Sequence, residues 1–404
     1  MIAKLRFLTV LAAVFAAFRL AAEAQGLPST WEGILERARG QDVYWNAWAG
    51  DEPTNAFIAW VGRRVKETAG VNLVHVKLSL TAEAVSRVVA EKAAGRHEGG
   101  SIDLIWINGE NFLAMKEQGL LFGPFTHRLP HFGLVDTAGK PSTVIDFTVP
   151  TEGYESPWRM ARIVYVYDTA RLPRPPRSIP AMRDWARANP GRITHPRIRN
   201  FLGSTFLKQA LYELIDDPAR LVRPVDEEEF LARSAPLWRW YEELKPLLWR
   251  RGEQFPESGP AMRALLADGE IDIMISFNPN EATAGIARGI LPPTVRTFVL
   301  EKGTIGNTSF VAIPYNARHK EGALVVADFL LTPESQARAM HPEGMGNPTV
   351  LDLERLSPED RRRFAELPRG VATLSPEELG RALPEPHPSW MNRIVAEWER
   401  RYSR

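Results

Sequence analysis

Three polar loops directly follow apolar strand patterns, and their side chains are the first candidates for chemistry. They are Trp45-Asn46-Ala47-Trp48-Ala49-Gly50-Asp51, Asn108-Gly109-Glu110-Asn111 and Asn278-Pro279-Asn280-Glu281-Ala282-Thr283. Short Asn, Glu and Thr side chains supply hydrogen-bond donors and acceptors, and helix starts just beyond add free backbone N–H groups. In an open α/β sheet, ligands sit outside the carboxyl ends of the strands. The expected ligand contacts are Trp48, Asp51, Asn108, Glu110 and Asn111 from one half of the chain. From the other half they are Trp158, Asn278, Asn280, Glu281 and Thr283. Each polar residue has a plainer role open to it, as cap of the next helix, Asn111 above all.

The aromatic residues add a second clue. Trp45, Trp48, Trp106, Tyr154, Trp158, Tyr165 and Tyr167 lie in or beside the strand patterns. Alternation points Trp45 and Trp48 to opposite sides, so at least one belongs to the core. Trp48, at a strand end beside Gly50 and Asp51, is the candidate stacking wall. Such a wall with Asp51, Glu110 and Glu281 suits a small cationic or ring-bearing ligand.

Other chemistries lack their residues. The chain has no cysteine, which removes disulfides, thiolate metal sites and cysteine nucleophiles. It has no Gly-x-x-x-x-Gly-Lys-Ser/Thr loop, no Gly-x-Gly-x-x-Gly, no Gly-x-Ser-x-Gly and no His-Glu-x-x-His. His127 and His131 stand four apart, but Pro130 breaks any continuous helix through them. No cofactor and no metal is expected. Lys plus Arg number 50 and Asp plus Glu 49, so no basic surplus marks a nucleic-acid binder.

Strand and helix patterns alternate behind these loops. Asp42–Trp48, Val71–Leu78 and Ile102–Ile107 read as strands, separated by helical patterns that close at Gly70 and Gly95. The plan then repeats. Arg162–Asp168 and Asp272–Phe277 read as strands, helices fall near 204–215, 226–249 and 260–268, and strand-like pieces return at Val295–Leu300 and Ser309–Ile313. The fold expected is α/β, with two lobes, each a mainly parallel sheet flanked by helices, joined by crossover strands. At 404 residues with 44% apolar content, the chain is long enough for two cores.

The first residues read as an address. Lys4 and Arg6 precede an apolar run from Phe7 to Phe18, and Ala22-Glu23-Ala24 supplies a small-x-small cleavage site after Ala24. The run falls short of the ~20 residues a span needs. Export to the periplasm is expected. The organisation expected is a signal peptide at 1–24, lobe one at 27–155 plus 292–330, and lobe two at 156–291 plus 331–404.

Four stretches then carry a resemblance. They are Asn46–Asp51, His75–Arg87, Gly99–Phe112 and Gly346–Asp352, the run Ile102–Phe112 being the most specific. With these the chain resembles the YnjB-type solute-binding proteins of bacterial ABC importers, placed among the larger extracellular binders near those for thiamine and ferric iron. The resemblance implies a type II periplasmic binding fold, a ligand trapped between the lobes by hinge closure, and delivery to a membrane permease powered by a separate ATPase. A binder that is not an enzyme, acting as a monomer, is expected. The tyrosine cluster of the ferric binders is not evident. An exported α/β hydrolase, or a sensor domain using the same cleft, is the alternative.

Overall fold

The computed structural model describes residues 26–403, so the signal-peptide reading lies outside the described residues. The strands are β1 (Asp42–Trp48), β2 (Asn72–Leu78), β3 (Leu104–Ile107), β4 (Ile145–Asp146), β5 (Val149–Pro150), β6 (Glu155–Arg162), β7 (Val164–Asp168), β8 (Ile273–Ser276), β9 (Val295–Phe298), β10 (Thr304–Ala312) and β11 (Ala382–Leu383).

The larger sheet has the order β11-β10-β3-β1-β2, with β6 along the other edge of β10. Strands β2, β1 and β3 run parallel, with Trp45 opposite both His75 and Leu104. The helices Glu52–Ala69 and Ala82–Ala93 make the crossovers between them. The first of these is well signalled. Asp51 caps it, Pro53 sits in its first turn, and Gly70 ends it in the left-handed region at φ 73°.

Beyond these strands only the short β10–β11 pair is parallel among the described strands. β10 is antiparallel to both β3 and β6. In the smaller sheet, β8-β7-β9, both pairings are antiparallel. The expectation of mainly parallel lobes is therefore corrected to a mixed sheet and an antiparallel one. The reason lies in the crossings: a strand returning from the opposite lobe enters its sheet against the direction of the strands already there. β6 leads through Ile163 into β7, and β9 leads back into β10. Ile163 N donates to Ile305 O at 2.8 Å where the two crossings run side by side.

Two cores follow. The first joins Trp45, Phe57, Val61, Leu104, Trp158, Val311 and Leu324 on one face of the larger sheet. The other face is covered by a smaller cluster around Val88, Ile107, Phe112 and Met115. The second lobe is built on Tyr165, Phe206, Leu211, Trp238, Tyr241, Ile275 and Trp390. Leu331, Ala337, Met345, Leu351 and Phe364 also pack into the first core, although the sequence placed them in lobe two. The helix Lys320–Leu330 is buried on every side, and the helix Pro333–Met340 continues directly from it. The chain crosses a third time near residue 370, because Ala372, Trp390, Ile394 and Trp398 belong to the second core.

Candidate functional site

The ends of β1 and β8 meet across the seam between the lobes. After Trp48 the backbone turns at Gly50 beneath the indole, and a Cβ on Gly50 would lie 1.9 Å from that ring. Asp51 follows as helix cap, accepting from Thr54 N at 2.9 Å and from Thr54 Oγ1 at 3.2 Å. From the other lobe, β8 runs through Phe277 into Asn278. Asp51 and Pro53 line one concavity together with Arg263, Asn278, Glu281 and Gly285. Residues of both lobes thus share one surface.

The charges there are partly spent. Glu281 accepts from Arg263 Nε, and its second oxygen from Ser276 Oγ at 3.1 Å. Asn278 Oδ1 accepts from Asn280 N at 2.9 Å.

Behind this concavity lies Arg159, which the sequence analysis missed. It sits on β6 between Trp158 and Met160, both of which pack into the first core. Alternation along the strand turns Arg159 to the other side. Its Cζ lies 4.3 Å from the Trp106 ring centroid and 5.0 Å from that of Trp158. Trp48 meets Trp106 edge-on at 6.1 Å, completing a wall of three indoles. Nε donates to Ser309 Oγ at 3.4 Å, and Nη1 donates to Asn347 Oδ1 at 3.3 Å. Burial lowers its pKa to about 10, with Asp51 pulling it back up, so the group is cationic at neutral pH. The one available signal was a charged residue set between the apolar Trp158 and Met160.

A second polar group closes the far end of the seam. Lys208 Nζ lies 2.6 Å from Glu385 Oε2, and Asn307 Nδ2 donates to Glu385 Oε1 at 3.0 Å. Lys208 also sits 4.9 Å from the Phe147 ring and 4.6 Å from that of Phe201, one from each lobe. Glu110 stands near this group, and burial raises its pKa while Lys208 opposes the rise. Asn108 donates to Thr308 O at 2.5 Å, and Asp146 accepts from Gly109 N at 2.6 Å. Gly109 has φ 58°, and a Cβ there would meet the Phe147 ring at 2.6 Å, so this turn requires glycine.

Of the expected contacts, Trp48, Asp51, Asn278 and Glu281 come together at the seam. Asn108 and Glu110 sit toward the Lys208 end, and Asn111 bonds to Glu110 at 3.1 Å. Three of the expected residues are held in other contacts. Trp158 is fully buried in the first core against Trp45, Phe57 and Trp106, so only its ring face toward Arg159 touches the site. Asn280 is fully buried, donates to Pro342 O and accepts from Thr373 Oγ1 at 2.7 Å, which uses its amide to hold two neighbouring loops. Thr283 Oγ1 accepts from Ala372 N at 3.0 Å and lies 2.8 Å from Thr373 Oγ1, a structural pairing. Two of the three acids proposed to meet a cationic ligand also have other work: Glu281 is paired with Arg263, and Asp51 is a helix cap.

The comparisons with known proteins agree with this architecture. Residues 60–359 match the family model described as bacterial extracellular solute-binding protein. The chain is a bacterial extracellular solute-binding protein. It is 41% identical over 374 residues to Protein YnjB of Escherichia coli (strain K12), covering 93% of this chain and 94% of the relative. Among solved structures it resembles the TpPotD lipoprotein of Treponema pallidum, with a TM-score of 0.64 at 15% identity, over 90% of this chain and 100% of that one. It also resembles the periplasmic binding protein AfuA of Actinobacillus pleuropneumoniae, with a TM-score of 0.60 at 15% identity, over 90% of this chain and 98% of that one. The solute-binding family and the two-lobed periplasmic binding fold expected from the sequence are therefore those of this chain.

Proposed function

We propose that this protein captures a small solute in the seam lined by Trp48, Asp51, Arg159 and Asn278, closes its lobes around it, and hands it unchanged to a membrane permease driven by a separate ATPase. Export to the periplasm, and action as a monomer, belong to this reading. The observation that carries it is the shared concavity, to which Asp51 and Pro53 come from one lobe and Arg263, Asn278 and Glu281 from the other. A solute touching both sides favours the closed state by the difference between its affinities for closed and open forms. The paired crossings at Ile163 and Ile305 supply the hinge, since few residues there absorb the change in direction.

The fold itself does not choose the cargo. The Salmonella typhimurium protein sharing 33% identity over 119 residues is named for spermidine and putrescine, whereas the AfuA structure holds fructose-6-phosphate. The side chains of this seam must decide.

The absence of cysteine makes the test direct. Val74→Cys on lobe one and Leu231→Cys on lobe two, both exposed, accept a donor and an acceptor dye. Adding the small-molecule fraction of a periplasmic extract to protein stripped by unfolding and refolding is expected to change energy transfer as the lobes close. Mass spectrometry of the released solute is expected to show it unaltered. An unchanged signal, or a chemically altered solute, refutes the reading.

A further inference from the structure

We propose that the solute is recognised through an oxyanion, a carboxylate or phosphate-type group, docked on the open N–H edge of Arg159 within the Trp48–Trp106–Trp158 wall. This deepens the reading above and rests on the seam being the binding site.

The argument begins with donor bookkeeping at the guanidinium. Arginine carries five N–H donors in a planar fork and accepts nothing. At Arg159 the protein supplies only neutral acceptors: Ser309 Oγ for Nε, and Asn347 Oδ1 with Met345 Sδ for Nη1. Nη2 has no protein acceptor among the described residues, and none of their carboxylates lies within 4.0 Å of this guanidinium. Two other cations at the seam are paired, while Arg288 at its rim is exposed to water. Arg263 is bonded to Glu281, and Lys208 is bonded to Glu385. Arg162, three residues further along β6, gives its Nη2 to the carbonyls of Leu379 and Gly380. Arg159 is thus a desolvated cation with no carboxylate partner and with one guanidinium nitrogen from which no described residue accepts.

Its surroundings select the shape of the missing partner. Trp106 and Trp158 stand 4.3 Å and 5.0 Å from Cζ, where they serve the cation through their π faces. What remains is the edge of the fork, which matches the two oxygens of a carboxylate or phosphate. Ser309 and Asn347 hold the fork in place, and a fixed fork loses less freedom on binding than a mobile one. A cationic solute finds little beside Arg159, Glu110 standing toward the Lys208 end of the seam. Glu281 and Glu385 already hold cations, and the two oxygens of Asp51 accept from Thr54. The half-buried Trp48 ring at the mouth gives the rest of such a solute an apolar surface.

The experiment uses the dye-labelled protein described above. The periplasmic small-molecule fraction is passed over an anion exchanger or a cation exchanger before addition. Removing anions is expected to abolish closure, and removing cations is expected to leave it. Excess benzoate or phenyl phosphate is expected to compete with the extract, and benzylamine is not; the two oxyanion probes separate a carboxylate site from a phosphate site. Arg159→Lys keeps the charge but loses the fork and is expected to weaken binding about tenfold, and Arg159→Met about a hundredfold. Thermal melts of both variants check that the fold is kept. Closure that survives anion removal, competition by benzylamine alone, or unchanged affinity in a folded Arg159→Met variant overturns the proposal. An extract that never closes the wild-type lobes overturns the capture reading itself, and this inference with it.

Discussion

Lys208 and Glu385 form an ion pair at the seam with almost no access to water, the lysine 0% and the glutamate 3% exposed. The lysine comes from the helix Phe201–Leu214, which also holds the returning strand: Ile305 N donates to Gln209 Oε1 at 2.9 Å. The intact pair is worth little net, because desolvating two charges offsets most of their attraction. Breaking it is another matter. Lys208→Met leaves a buried carboxylate with Asn307 as its only remaining donor among the described residues, which costs about 3–5 kcal/mol. With a urea m-value of about 3 kcal/mol/M, the denaturation midpoint falls by more than about 1 M. The double variant Lys208→Met with Glu385→Leu removes the stranded charge. It is expected to recover all but about 1–3 kcal/mol, the residual cost of leaving Asn307 Nδ2 unpaired. The pH dependence carries a sign that a merely steric defect lacks. Burial already raises the Glu385 pKa in the wild type, and losing Lys208 raises it further. An acid raised above its unfolded value contributes stability below that value and loses it as pH rises through the folded pKa. The Lys208→Met deficit is therefore expected to shrink toward acid and grow toward neutrality. Urea titrations of the four proteins of this cycle, at several pH values, measure both effects. A single variant within about 1 kcal/mol of wild type, or a double variant as unstable as the single, refutes the argument.

Three further outcomes follow from the same reasoning. His195 is fully buried, bonded to Pro196 O at 2.7 Å and Tyr241 Oη at 2.8 Å, with its pKa lowered to about 4. Its stabilising contribution is present above the unfolded value near 6.5 and is lost as pH falls toward about 4, so His195→Asn is expected to flatten the acid limb of the stability profile. Trp158→Ala is expected to cost about 3–5 kcal/mol in urea titration, whereas Trp48→Ala leaves stability nearly unchanged and weakens solute binding in calorimetry. Asn280→Ala is expected to cost about 1–3 kcal/mol through its two lost hydrogen bonds, while Asn278→Ala reduces affinity without a comparable stability loss.

The local chemistry of several elements was legible from the residues themselves. Apolar runs ending in polar loops gave β1, β3 and β8, and Asp51 with Pro53 and Gly70 bounded the first crossover helix. These signals are short-range, acting within one turn or one strand, so a linear reading captures them. The seam was only half legible. Asp51 and Asn278 stand at strand ends, which is a positional rule. The difference between Asn278 and its neighbour Asn280 is not. Asn280 is claimed by Pro342 and Thr373, residues about sixty and ninety positions away.

What the sequence by itself determined is therefore many of the elements, though not β4, β5, β6 or β11, together with the two-lobed α/β class and the family, because periodicity, capping and turn residues act locally. The tertiary structure decided the direction of the later strands, the return of residues 331–367 to the first core, and the roles of Trp158, Asn280, Thr283 and Arg159. Each of those depends on which distant group fills the space or accepts the hydrogen bond. A side chain's charge state and partners are set by neighbours that only folding brings within reach.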